Sequence, residues 1–236
     1  MNNILIEKSS IDFEDNGEFI LKENGNKDIR VNDNVDITLT IINEEDKDVS
    51  YNFDINENCN LIFNIFDASK NINRNINVNI NGKNVLINIS SISLNENNYD
   101  VSIHHNNENC TSNTNIHGLT IDNNSIYIKN NGYIPNGSEK SVLHQDNKII
   151  VMNDNKSKIE PNLFIDEYDV EASHGAYIGK FDEEELFYLN SRGLDENKCY
   201  ELLINGFLLN EFNITDDVKD DLKKIIKKYW RWKNEL

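Results

Sequence analysis

The chain has 236 residues and a formal net charge of −18, with a pI near 4.6. That length allows one large domain, or a domain with an appendage, and an interior of its own. The charge excludes nucleic acid and anionic membrane surfaces as natural partners, since both call for a basic face, but it leaves a basic protein partner open.

The chain starts Met-Asn-Asn-Ile-Leu-Ile-Glu-Lys. Its apolar run is too short, and too soon charged, for a secretory signal. No stretch approaches the roughly 20 apolar residues that span a bilayer. Cys59, Cys110 and Cys199 are odd in number and far apart. They predict a reducing, cytoplasmic setting without a disulfide framework.

Residues 1–180 read as strands. Short apolar stretches predict them at 17–22, 36–42, 50–54 and 60–65. The clearest signal is 71–94, where Ile72, Ile76, Val78 and Ile80 alternate with polar residues at period two. Asn81-Gly82 marks a turn. Val85, Ile87 and Ile89 resume the alternation, Ser90-Ser91 shifts its phase, and Ile92 and Leu94 continue it. Further strands are expected at 99–104, 116–121, 125–129, 148–152 and 162–166. Many short strands with polar turns suit a sandwich, a barrel or a β-solenoid. The phase shifts suit a solenoid, whose corners interrupt alternation and whose stacked coils would let Asn hydrogen-bond to Asn.

After Gly179 the pattern turns helical, so the boundary falls near 180: a β domain over 1–180 and a helical region over 181–236. Asp182 is an N-cap with Glu185 three residues on, as in a capping box, and Gly193 is a stop signal. Asp195 caps a second helix, in which Cys199, Leu202, Leu203, Gly206 and Phe207 fall on one face. Thr215 opens a third helix, acidic at its start and basic at its end, which complements the helix dipole. Its apolar stripe is Val218, Leu222, Ile225, Tyr229 and Trp232, widened by Ile226 and Trp230.

The sequence holds no phosphate loop of the G-x-x-x-x-G-K-[ST] type, no G-x-S-x-G elbow and no H-E-x-x-H. His104, His105 and Cys110 resemble a metal group, but adjacent histidines on a strand face opposite ways. His117 and His144 are isolated. By its own residues, His174 reads as an exposed histidine in a Ser-His-Gly turn where strands give way to helices. The Trp230-Arg231-Trp232 tail has the aromatic and Arg content of binding hot spots.

Residues 160–194 carry a longer pattern: Pro161, Leu163 and Ile165, then Asp169-Val170, Ser173 to Ala176, Gly179, and Asp182 through Gly193 with its Leu-Phe-Tyr-Leu core. This pattern resembles the SufB/SufD subunits of the SUF iron–sulfur cluster assembly machinery. Ser-His-Gly-Ala is closer to the SufD form than to the His-Glu-Ala expected of SufB. The resemblance is strong over about 115–212. Typical members are longer, with an N-terminal helical region, so the chain looks like a minimal member.

The resemblance implies a right-handed parallel β-helix followed by a small helical region, and a scaffold with no catalytic activity of its own. It implies a role for His174 in building or holding a transient iron–sulfur cluster, possible as a metal ligand because neutral imidazole suits iron. It implies a SufC-type ABC ATPase docked on the helices, with Phe187, Tyr188, Arg192, Leu203 and Phe207 in the best-matched part. The second copy would be the chain itself or a SufB/SufD-type paralogue. Gln145 and Asn147 echo a Q-x-N-x-x-L segment of the family, read here as hydrogen bonding at a coil corner.

The family's usual cysteine before Ser-His-Gly is Ala172 in this chain. Since clusters are normally held by thiolates, other ligands would come from a second chain. Two alternatives stand beside the scaffold: an ATPase-associated structural subunit that binds no cluster, and a β-solenoid carbohydrate-binding or carbohydrate-active protein.

Overall fold

The computed structural model describes residues 2–3, 9–21, 25–94, 96–121, 124–153, 156–210, 212 and 214–231. Numbered in chain order, the odd strands are β1 (Asn2–Asn3), β3 (Gly17–Leu21), β5 (Asp36–Asn43), β7 (Asn60–Asp67), β9 (Leu86–Leu94), β11 (Thr111–Thr120), β13 (Val142–Val151) and β15 (Glu171–Gly179). They form one sheet in that order. The even strands are β2 (Ser10–Phe13), β4 (Lys27–Val31), β6 (Val49–Ile55), β8 (Ile72–Ile80), β10 (Asn97–His105), β12 (Ile126–Ile134) and β14 (Lys158–Ile165). They form a second sheet, again in chain order. Every pairing in both sheets is parallel. The chain therefore crosses between the sheets after each strand. The Asn81-Gly82 turn joins strands of different sheets and does not close a hairpin.

Two devices explain the wealth of asparagine. At one corner, Asn34, Asn58, Asn84 and Asn109 have φ of 63°, 57°, 56° and 55°. This is the left-handed region that Asn tolerates better than most non-glycine residues. The corners stack: Asn84 Nδ2 donates to Asn58 Oδ1 at 3.0 Å, and Asn58 Nδ2 donates to Asn34 Oδ1 at 3.2 Å. On outer faces, Asn98 Nδ2 donates to Asn73 Oδ1 at 3.0 Å and Asn113 Nδ2 to Asn88 Oδ1 at 3.0 Å. The expected Asn-to-Asn bonding between neighbouring strands is thus present.

Between the sheets lies an aliphatic and aromatic core that includes Leu39, Phe53, Phe63, Val78, Ile89 and Val101. It encloses one ion pair, in which Arg74 Nη2 meets Asp67 Oδ1 at 2.6 Å with both side chains fully buried. Tyr99 and Asn43 also donate to the Asp67 carboxylate.

The helices are α1 (Glu183–Ser191), α2 (Glu196–Leu209) and α3 (Asp216–Arg231). Asp182 accepts from the Glu184 amide and Asp195 from the Lys198 amide, each at 2.9 Å. Gly193, at φ 89°, ends α1. Helices α2 and α3 bury Ile204, Leu208, Leu222 and Ile226 in one cluster with Phe66, Ile92, Leu94, Leu119 and Ile150 of the odd-strand sheet. These strand residues lie beyond the phase shifts, where the outer face of the sheet also needs cover. The helices therefore flank that sheet. The face read from sequence on α2 divides: Cys199 is buried with Ile204 and Leu208, whereas Leu202 is 44% exposed. Trp232 lies outside the described residues, as do the side chains of Trp230 and Arg231.

Candidate functional site

Strands β14 and β15 each end the order of their sheet. No described element covers their outer edges, and Phe164, Ile165, Tyr177 and Ile178 are correspondingly exposed. His174 lies in the middle of β15. It is exposed, as expected, but it stands on a regular strand paired to β13 and not in a turn.

The register fixes which way His174 faces. In β13 Leu143, Gln145, Asn147 and Ile149 are buried on the inward face, and Ile150 is buried on the other face under the helices. The inward-facing residues pair with Ala172, His174, Ala176 and Ile178 of β15. Side chains in register on neighbouring parallel strands share a face. His174 thus ends an inward-facing file that runs through Leu39, Phe63, Ile89, Thr114 and Gln145. The file is apolar as far as Ile89 and polar from Thr114 onward.

The polar part is wired in one direction. Thr114 Oγ1 donates to the His144 carbonyl at 3.4 Å. Asn130 Nδ2 donates to Thr114 Oγ1 at 2.8 Å and to Asn147 Oδ1 at 3.0 Å. Asn147 Nδ2 donates in turn to the Gly175 carbonyl at 3.1 Å. On the outer face, His144 Nδ1 lies 2.7 Å from Ser173 Oγ. The residues on either side of His174 are therefore held from opposite faces of β15. Gln145 and Asn147 sit on a strand and point inward, which replaces the coil-corner reading. Their sequence signal is the entry of two amides at inward-facing positions: Gln145 is in register, through Thr114, with Ile89 of β9, and Asn147 with Ile116 of β11.

The other titratable candidates belong to the frame. His104 stacks on Tyr133 at 4.2 Å on the outer face, and His105 points inward to Ser112 Oγ at 2.7 Å. His117 stacks on Phe207 at 4.6 Å and lies 2.9 Å from the Phe207 carbonyl, joining β11 to α2. Burial pushes the thiols of Cys59 and Cys110 up, and a thiol so placed is a poor source of thiolate. Among the described residues, no group of three or more His, Cys, Asp or Glu could hold a metal ion. No described helix is long and apolar enough to cross a membrane.

The residues assigned to a partner lie apart from His174. Phe187 and Tyr188 are 76% and 55% exposed on α1, and the Arg192 guanidinium stands 5.0 Å from the Tyr188 ring centroid. Leu203 and Phe207 line a groove of about 590 Å³ together with Leu202, Phe181, Lys148 and Tyr177. Tyr177 pairs with Lys148 in register, one position out of phase with His174 and Ile178. Strand β15 thus carries the groove on its outer face and His174 on its inner face.

Residues 6–207 match the family model for the SUF system FeS cluster assembly, SufBD core domain. The iron–sulfur cluster assembly protein SufD of Bacillus subtilis is 34% identical over 116 residues, 48% of this chain and 26% of that protein. A SufBD family protein of Pyrococcus horikoshii is 39% identical over 101 residues, 41% of this chain and 22% of that protein. SufD of Escherichia coli is 36% identical over 62 residues, 26% of this chain and 14% of that protein. These matches span about a quarter or less of the relatives' lengths. With the family model matched over most of its residues, the chain belongs to the SufBD family.

Proposed function

We propose that this chain is a non-enzymatic scaffold for iron–sulfur cluster assembly and that His174 is the residue it brings to the nascent cluster. The observation that carries this reading is the placement of His174. It is an imidazole on an inward-facing position of the last strand, exposed at an uncovered end and backed by a polar interior. A neutral imidazole suits iron, and an uncovered end admits a second chain.

The two sheets are visited in alternation, which fits a parallel β-helix. Parallel crossovers are right-handed in about 98% of cases, so we take this one as right-handed. Its open edges at β14 and β15 are suited to pairing with another copy or a paralogous subunit. The exposed aromatics of α1 and the groove beside α2 would dock a SufC-type ABC ATPase, which would handle the nucleotide. The setting would be the cytoplasm. Cluster thiolates would come from outside this site, because Ala172, an inward neighbour of His174, offers none.

Ala172 also keeps a second reading in play, a structural subunit that binds the ATPase but no cluster. Anaerobic reconstitution with iron and sulfide, in the presence of the ATPase, separates the two. The scaffold reading expects a cluster absorption band that His174→Ala abolishes, with stability changed by no more than about 0.5 kcal/mol for an exposed substitution. Reconstitution that is indifferent to His174→Ala would remove His174 and favour the structural subunit.

A further inference from the structure

The inner-face neighbour of His174 has an unused acceptor. Gln145 is 4% exposed. Its Nε2 donates to the Asn162 carbonyl at 3.4 Å, which sets the amide so that Oε1 is its free end. That oxygen is buried without a hydrogen-bond partner. A buried acceptor left unpaired is rare and calls for a donor. The residue in register beside Gln145 is His174, whose ring offers an N–H in any protonation state.

Space and anchoring favour the contact. The inner-face residues on either side of His174 along β15 are Ala172 and Ala176, small enough to let the imidazole lie toward β13. Asn147 holds the Gly175 carbonyl, and His144 lies against the Ser173 hydroxyl. The backbone beneath the ring is therefore fixed while the ring can turn.

We infer that Gln145 is a positioning residue for His174, its Oε1 accepting one imidazole N–H so that the other ring nitrogen presents its lone pair at the open end. Metal-binding histidines are commonly oriented by such a partner on the far nitrogen. The purpose of this orientation rests on the scaffold reading above. The orientation itself does not, and it can be read without iron.

The test is the tautomer of His174 in the full, metal-free chain labelled with nitrogen-15. Long-range proton–nitrogen spectra are recorded well above the ordinary histidine pKa, with His174→Ala assigning the signal. The wild type is expected to favour one tautomer about fivefold or more, the bias that a hydrogen bond of ordinary net strength imposes. Gln145→Leu should move the tautomer ratio to that of a free histidine side chain in water, and Gln145→Glu, which keeps an acceptor at the same reach, should restore the wild-type ratio. Comparable tautomer populations in the wild type would overturn the inference without recourse to any variant. So would a tautomer ratio that Gln145→Leu leaves unchanged. A Gln145-dependent tautomer in a chain whose reconstitution ignores His174→Ala would uphold the positioning and sink the cluster role.

Discussion

His105 is fully buried beside Ser112, and burial pushes its imidazole down to about 4. Its unfolded value is near 6.5, so between these limits the unfolded chain takes up a proton that the folded chain refuses. Stability should therefore rise with pH from about 4 to 6.5 and, for this group, be flat above. The full effect is about 3 kcal/mol, and His105→Gln should remove that slope from urea-unfolding midpoints. The Asp67–Arg74 pair sets a second test. Burial opposes the Arg74 charge, and the Asp67 carboxylate, with Tyr99 and Tyr51 beside it, more than offsets that cost. Asp67→Ala strands a buried guanidinium and should lower stability by about 3–5 kcal/mol. Arg74→Met should be milder, since Tyr99 and Asn43 would still donate to the carboxylate. Equal losses in denaturant titrations would refute this asymmetry.

Helix α2 shows how one element can serve two tasks. Leu208 is fully buried against the sheet, so Leu208→Ala should lower unfolding stability by about 2–5 kcal/mol. Phe187, on the neighbouring helix α1, has almost no packing to lose. Phe187→Ala should leave the unfolding midpoint unchanged and weaken ATPase binding by about 2 kcal/mol if the aromatic is a hot spot. Calorimetric titration of the two variants separates packing from docking. The helix starts were legible because an N-cap is local chemistry: Asp182 and Asp195 cap the helices expected of them. The division of α2 was not. Period alone places Leu202 and Cys199 on one face, whereas the distance to the sheet decides which of them is covered.

Across the described residues, stability comes from repetition: each strand covers the previous one in its sheet, and β14 and β15 have no following strand to cover them. Along the outer face of the even-strand sheet, His104, Tyr133 and Phe164 stack at centroid distances of 4.2 and 4.7 Å. Phe164 ends that stack 51% exposed on the edge strand. If the β14–β15 end joins a second copy, Phe164→Glu should place a charge in the interface and shift the chain to monomer in light scattering, with the circular dichroism of its strands unchanged. A monomeric wild type would refute self-pairing through this end.

Period-two alternation, polar corners and helix caps are properties of neighbours along the chain, and they were enough to predict strands as far as 162–166 and three helices after Gly179, but not β15, whose Ser-His-Gly reads as a turn. The motif over 160–194 was likewise enough to point to the family. Contacts between residues 24 or more positions apart are another matter. The Tyr99–Asp67 hydrogen bond, the descent of the helices on the odd-strand sheet and the inward aim of His174 all depend on register between strands. A shift of one residue would turn His174 outward and Tyr177 inward. Only the folded chain sets that register. The corner asparagines and the packed core choose it together, and it is what places an exposed histidine over a buried, unpaired glutamine oxygen.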